Sequence, residues 1–212
     1  MNKIEDSLDI HSEVMSIILN ISKKLAKDKQ GALFIVTDRE SIADNYLPHY
    51  PQIVFAEKLM SKGMDSVIEK LATLDGAIIF TPDGDLIAYG SRILKSETLV
   101  GFGTKHAAAK GFTKYEKSST AILVSEESGW IKVFQKGKIV LETDAVDIEP
   151  STLDKVSRFL INKDMALLAG AGISMAAGLV TAPTLLIVGG AYMMVKTTGS
   201  VISSVLNKEK GK

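Results

Sequence analysis

The sequence predicts an α/β domain built on a mixed central β-sheet flanked by helices, followed by an apolar helical tail. Three observations predict it. Apolar residues recur at helical spacing near the N-terminus, and short apolar runs joined by turn-forming residues occupy the middle. About thirty consecutive uncharged residues, Met165 to Val195, stand near the C-terminus.

The elements follow in order. Ile10, Val14, Ile17, Ile18, Ile21 and Leu25 lie on one face of a helix over Leu8 to Leu25, with Ser7 or Asp9 available as its N-cap. After the polar break Lys27 to Gly31, the run Ala32 to Thr37 has the pattern of a buried strand. Glu40 to Lys62 lacks a clear period, His49-Tyr50-Pro51 marks a loop, and Asp65 to Leu74 predicts a short helix. Asp75 to Phe80 and Leu86 to Gly90 flank Thr81-Pro82-Asp83-Gly84, the chemistry of a hairpin turn. Gly101-Phe102-Gly103 leads into a helix over Thr104 to Lys110, favoured by three alanines. A second hairpin group comprises Ala121–Val124, Trp130–Phe134 and Lys138–Leu141, with Lys136-Gly137 as the last turn. Ser151-Thr152-Leu153-Asp154 resembles a capped helix start, and that helix would run to about Leu160.

A chain of 212 residues holds one complete domain plus an appendage, at roughly 100–200 residues per domain. The expected layout is a domain over residues 1–149, a helical connector over 150–164, an apolar helical segment over 165–206 and a basic tail over 207–212. The 25 Lys and Arg balance 25 Asp and Glu, so stable nucleic-acid binding is not expected, whereas a local phosphate site is allowed. The absence of cysteine excludes disulfides, thiolate nucleophiles, Fe–S clusters and Cys-ligated zinc. Met1 to Ile10 is polar, unlike the apolar core of a secretory signal.

The apolar segment satisfies the roughly 20-residue length of a membrane span. As one straight helix it would be about 45 Å long, more than the roughly 30 Å hydrocarbon layer. Pro183 divides it, so a kinked span and a tight hairpin are both open, with a buried oligomerisation helix as the rival. Lysines on both flanks leave topology undecided by the positive-inside rule.

Glycine-rich stretches are candidate phosphate cradles. Gly84 to Ser91 lacks the lysine and spacing of a P-loop. Gly101-Phe102-Gly103-Thr104-Lys105-His106 carries His106 where a dinucleotide fingerprint needs its third glycine. It nevertheless offers a glycine turn feeding a helix N-terminus, with a hydroxyl, an ammonium and an imidazole: the components of an anion site. Gly170-Ala171-Gly172-Ile173-Ser174 resembles the nucleotide loop of sirtuin deacylases, but the continuation those enzymes carry is missing. Gly170, Ser174, Gly178 and Ala182 fit the small-residue spacing of packed membrane helices more simply.

Three further segments carry a resemblance. Leu74-Asp75-Gly76-Ala77-Ile78-Ile79, Gly103-Thr104-Lys105-His106-Ala107-Ala108-Ala109 and Val124-Ser125-Glu126-Glu127-Ser128-Gly129 stand in the order and approximate spacing of the diadenylate cyclase (DAC) domain. The chain resembles that family from about Leu8 to Val140. The resemblance implies condensation of two ATP molecules to cyclic di-AMP and two pyrophosphates, with Mn²⁺ or Mg²⁺ as cofactor. The same fold without turnover, a sensor of adenine nucleotide or cyclic di-AMP, is the alternative.

By this resemblance Asp75 lies near the metal and the attacking hydroxyl, and Gly76 and Ala77 border the nucleotide, with Gly76 leaving room for it. Gly103, Thr104, Lys105 and His106 face phosphates and metal, and Ser125 and Glu127 complete the polyphosphate surroundings. Asp75 and His106 are the implied catalytic residues; Asp75, His106 and Glu127 are the implied metal ligands. One ATP per domain implies a face-to-face homodimer or higher homo-oligomer. The apolar segment would place it at the cytoplasmic face of a membrane. The familiar Arg-His-Arg of the second motif is here Lys105-His106-Ala107. Lysine keeps a point charge without the bidentate fork, and alanine keeps neither.

Taken alone, each residue has a plainer reading. Asp75-Gly76 could end a helix and open a strand, His106 could be a partly buried structural histidine, and Ser125 to Gly129 could be a polar loop. Only their joint occurrence favours chemistry. His11 and His49 are expected to be structural or solvent-facing, and Phe80, Trp130 and Phe134 to lie in the core.

Overall fold

A computed structural model describes residues 3–97, 103–143, 156–158, 160–161, 184–188 and 191–195. The elements are α1 (Lys3–Lys27), β1 (Ala32–Val36), α2 (Arg39–Ile42), β2 (Tyr46–Pro48), α3 (Met64–Leu71), β3 (Ala77–Phe80), β4 (Leu86–Ile93), α4 (Thr104–Tyr115), β5 (Thr120–Val124), β6 (Ile131–Gln135), β7 (Lys138–Thr143), β8 (Thr184–Val188) and β9 (Ala191–Val195). The described strands form one sheet in the order β2-β4-β3-β1-β5-β6-β7-β9-β8. It is mixed: β1 runs parallel to β3 and β7 to β9, whereas the other neighbours are antiparallel.

Strands β1, β3 and β5 are buried throughout because both their faces are covered, and all their residues but Thr120 are apolar. On one face α1 brings Val14, Met15, Ile18 and Leu25 against Phe34, Phe80, Ile122 and Val133. On the other, α4 brings Ala108, Ala109 and Phe112 against Leu33, Ile35, Ile79 and Leu123. The alternation of partners follows from the period of two along each strand. Val156 and Leu160, in helical residues of the expected connector, join the α1 side of the core.

Both hairpin groups form as the turn chemistry predicts. Gly84 takes φ +86 and donates its N–H to Thr81, closing β3 onto β4, and Gly137 takes φ +73 between β6 and β7. Several expectations are corrected. Helix α1 already includes Lys3, so Ser7 and Asp9 lie inside it rather than capping it; no breaker stands before them, and Glu5 and Asp6 suit a first helical turn. Within Glu40 to Lys62 the short β2 pairs with β4 as an edge strand, where Pro48 is tolerated because its missing N–H is not needed.

The helical reading of 165–206 is corrected where residues are described. Thr184–Val188 and Ala191–Val195 are antiparallel strands, with Val188 paired to Ala191. Two short apolar runs, the first rich in β-branched residues, stand either side of Gly189-Gly190, a sequence that favours a hairpin over a helix. The rest of that segment, including the Gly170 to Ala182 spacing, lies outside the described residues. Among the described residues no helix is long and apolar enough to cross a membrane.

The topology gathers chain ends at one edge of the layers. Leu33 on β1 pairs with Ala77 on β3, so the residues preceding both strands, Gly31 and Asp75-Gly76, lie side by side. Antiparallel β4 and β5 bring their C-terminal ends to the same place, since Ser91 pairs with Ala77 and Val124 with Ala32. The N-terminus of α4 lies there as well, because the Lys105 ammonium donates to the Gly31 carbonyl at 3.1 Å.

Candidate functional site

Two adjoining cavities occupy this edge. The larger, about 360 Å³, includes Leu33, Asp75, Gly76, Ala77, Ile93 and Ala108 in its lining. The smaller, about 270 Å³, includes Gly31, His106, Ser125, Glu126 and Glu127. Asp75, Gly103, Thr104 and Lys105 line both, which makes them one groove with a carboxylate and a helix N-terminus at its middle. All nine residues singled out from the sequence, Asp75, Gly76, Ala77, Gly103, Thr104, Lys105, His106, Ser125 and Glu127, line this groove.

Each is positioned by a local reason. Gly103 precedes α4 in an extended conformation, φ −74 and ψ 173, and its carbonyl accepts the N–H groups of His106 and Ala107. The preceding N–H groups of α4 have no helical acceptor, and no acidic side chain stands in that turn, so the positive end of the helix dipole faces the groove. Ser125 opens the β5–β6 turn: its N–H donates to Trp130, its carbonyl accepts from Gly129, and Gly129 takes φ +69. That turn projects Glu126 and Glu127 beside Gly31.

Gly76 is hemmed in by main chain. It adopts φ +108, and a Cβ there would lie 2.5 Å from the Ser91 nitrogen and 2.6 Å from the Gly90 carbonyl carbon. The missing side chain leaves room for the β4 backbone. A Cβ on Gly103, by contrast, would meet nothing within 4 Å.

His106 lies on the sheet side of the groove, its ring edge-on to Phe134 with centroids 6.3 Å apart. Burial is the main cause that lowers its pKa; Lys132 lowers it further, while Glu142 and Glu127 act in the opposite direction. Lys132 and Glu142 are paired across β6 and β7 at 2.8 Å. The site thus favours a neutral imidazole.

Among the described residues no group of three or more His, Asp or Glu side chains is gathered closely enough to hold a metal. Asp75, His106 and Glu127 nevertheless line the same cavity. That donor set suits a hard divalent ion carried by phosphates, which keeps waters and phosphate oxygens and needs only one or two protein carboxylates. It does not form a closed, all-protein cage.

The groove also contains residues that sequence reasoning passed over. His49, expected to be structural or solvent-facing, lines the larger cavity: its N–H donates to the Gly90 carbonyl, which fastens the loop after β2 to β4. Gln52 reinforces that loop by exchanging two hydrogen bonds, each 3.0 Å, with the Tyr89 backbone. Ser91, Arg92 and Ser96 line the cavity too. A charged residue between buried Ser91 and Ile93 was the available signal for Arg92.

The sequence profile of the DAC family, described as the DisA bacterial checkpoint controller nucleotide-binding domain, matches residues 20–139. A diadenylate cyclase of Methanocaldococcus jannaschii is similar at 26% identity over 138 residues, covering 62% of this chain and 44% of that protein. One of Haloferax volcanii is similar at 27% over 142 residues, covering 62% and 51%. The chain therefore spans about half the length of these curated relatives. Among solved structures, DacA from Staphylococcus aureus aligns with a TM-score of 0.47 at 23% identity, covering 73% of this chain and 95% of that one. A hypothetical membrane spanning protein from Bacillus cereus aligns with a TM-score of 0.48 at 21% identity, covering 58% and 60%. With its profile matched from the second half of α1 to β7, more than half of the 212 residues, the chain belongs to the DAC family.

Proposed function

We propose that the chain is a diadenylate cyclase that condenses two ATP molecules into cyclic di-AMP and two pyrophosphates. The observation that carries this reading is the convergence of Asp75, the α4 N-terminus and the Ser125 to Glu127 turn on one groove. In each of two steps the 3′-hydroxyl of one ATP attacks the α-phosphorus of the other. A new P–O bond forms, the bond to pyrophosphate breaks, and the hydroxyl proton leaves.

The residues fit the parts of that reaction. The apolar floor of Leu33, Ala77, Ile93 and Ala108 suits a nucleobase. The α4 N–H groups, Thr104 and Lys105 suit phosphate oxygens, and the Ser125 hydroxyl extends that surface. Asp75, where the two cavities meet, is placed to orient the hydroxyl and accept its proton. A Mn²⁺ or Mg²⁺ ion held by Asp75 and Glu127, with His106 beside it, would neutralise charge on the phosphates. With one ATP per domain, as the family resemblance implies, turnover calls for two copies facing each other. The uncharged residues Met165 to Pro183 support attachment to a membrane, and the need for ATP supports its cytoplasmic face; carbonate extraction of the expressed protein tests the attachment.

The deciding experiment incubates the whole chain with ATP and Mn²⁺ or Mg²⁺ and seeks cyclic di-AMP by mass spectrometry. Product is expected from the native sequence and lost in Asp75→Asn. No product from the native sequence, or undiminished product from the variant, defeats the reading. Ala107, where an arginine is familiar, favours a second reading as a nucleotide sensor. Tight calorimetric binding of ATP or cyclic di-AMP without conversion would select it.

A further inference from the structure

We propose that Arg92 on β4 supplies a second cationic contact to the nucleotide phosphates, in the role left empty by Ala107 on α4. The inference rests on the nucleotide-site reading above. Arg92 and Ala107 line the same cavity, together with Asp75 and Lys105. They are held on one wall by the backbone: the Glu97 N–H, five residues beyond Arg92, donates to the Ala107 carbonyl at 3.0 Å.

The ion pairs of the protein single Arg92 out. Of the three arginines in the sequence, Arg39 pairs with Asp85 at 3.3 Å and Arg158 with Asp9 at 3.7 Å. Among the described residues Arg92 has no carboxylate within 4 Å. Further along α4, Lys110 and Lys114 share the single carboxylate of Glu97, at 3.0 and 2.8 Å, and neither lines the groove.

Charge balance favours a second side-chain cation. The groove exposes the carboxylates of Asp75, Glu126 and Glu127, against which Lys105 is a single ammonium already donating to Gly31. A divalent ion on Asp75 and Glu127 would offset part of that charge, and a second fixed cation would hold the remaining phosphate oxygens in place. The guanidinium of Arg92 is always charged, reaches from an exposed strand position, and can grip two phosphate oxygens at once. The chain thereby keeps two cations on the groove while moving one of them from helix to strand.

The test is calorimetric titration of the whole chain with ATP and, separately, with adenosine. Arg92→Gln, at an exposed position, should retain the native circular dichroism. It should weaken ATP binding on the order of 10- to 100-fold while changing adenosine binding less than about twofold. Adding Ala107→Arg to that variant should recover about tenfold or more of the loss. Unchanged ATP affinity in Arg92→Gln overturns the proposal, as does an equal loss for adenosine, which would assign Arg92 to the nucleoside. Absence of recovery in the double variant overturns the exchange of roles between positions 92 and 107. If the native chain binds no ATP, the nucleotide-site reading itself falls, and this inference with it.

Discussion

The ammonium of Lys105 donates to the carbonyl of Gly31 at 3.1 Å, joining the first turn of α4 to the residue before β1 across 74 positions of sequence. The contact closes the floor of the groove where its two cavities meet. It also leaves the remaining Lys105 hydrogens directed at whatever anion enters. Lys105→Met should therefore act twice. It should cost about 1 kcal/mol in stability, the worth of a partly buried hydrogen bond, and on the order of tenfold in ATP affinity. Urea denaturation and calorimetry separate the two effects, and a variant losing neither would show that the contact is incidental.

Two glycines of the groove should respond in opposite ways. Gly76→Ala must place a Cβ 2.5 Å from the Ser91 nitrogen at φ +108, a conformation side chains rarely adopt. Backbone strain alone is worth about 1–3 kcal/mol, and the clash is with main chain that cannot swing aside. Gly103→Ala meets open space at an ordinary φ of −74 and should shift stability by less than about 0.5 kcal/mol. Thermal denaturation of both variants checks the contrast; equal shifts would contradict it.

Why Gly76 is a glycine could not be read from the sequence, and the reason is general. Asp75-Gly76 is recognisable as a motif, but the atoms that forbid a Cβ belong to Gly90 and Ser91, brought close only by the pairing of β3 with β4. The local signals were legible: helical spacing in α1, the turns at Gly84 and Gly137, and the buried run of β1. Elements that exist through tertiary pairing were not. Strand β2 has three residues and no pattern of its own, and His49 reaches the groove because its N–H is held by Gly90. The tail shows the complementary failure. Uniform apolarity carries no period, so the Gly189-Gly190 punctuation was outweighed by length, and Thr184–Val188 and Ala191–Val195 are strands.

The ion pair beneath His106 should matter more than a surface pair. Lys132 and Glu142 are only 13% and 21% exposed, so removing one leaves the other charge poorly solvated. Glu142→Gln is expected to cost about 2 kcal/mol, less than for a fully buried pair because some water remains. It should also lower the His106 pKa further, since Glu142 is one of the groups that raises it, whereas Lys132→Met should move it up. Proton NMR titration of the His106 ring reads both directions. Shifts of the same sign in the two variants would rule out this electrostatic coupling.

His11 gives the fold its own dependence on pH. It lies on α1, where burial lowers its pKa below the ordinary 6.5, against the opposing attraction of Asp38 and Asp83. A histidine with a depressed folded pKa binds fewer protons than the unfolded chain. Its contribution is complete above pH 6.5 and is lost as the pH falls through the window between 6.5 and the lower folded value. His106 is depressed in the same direction and adds to the slope. In His11→Gln that share of the slope disappears. The variant should therefore lose more stability relative to the native chain at about pH 8 than at about pH 5, the lower pH being where the native histidine has already surrendered its advantage. Urea denaturation of both proteins at the two pH values measures the difference, in which the carboxylates they share cancel. A gap that is constant or wider at low pH would show that His11 is not held neutral by the fold.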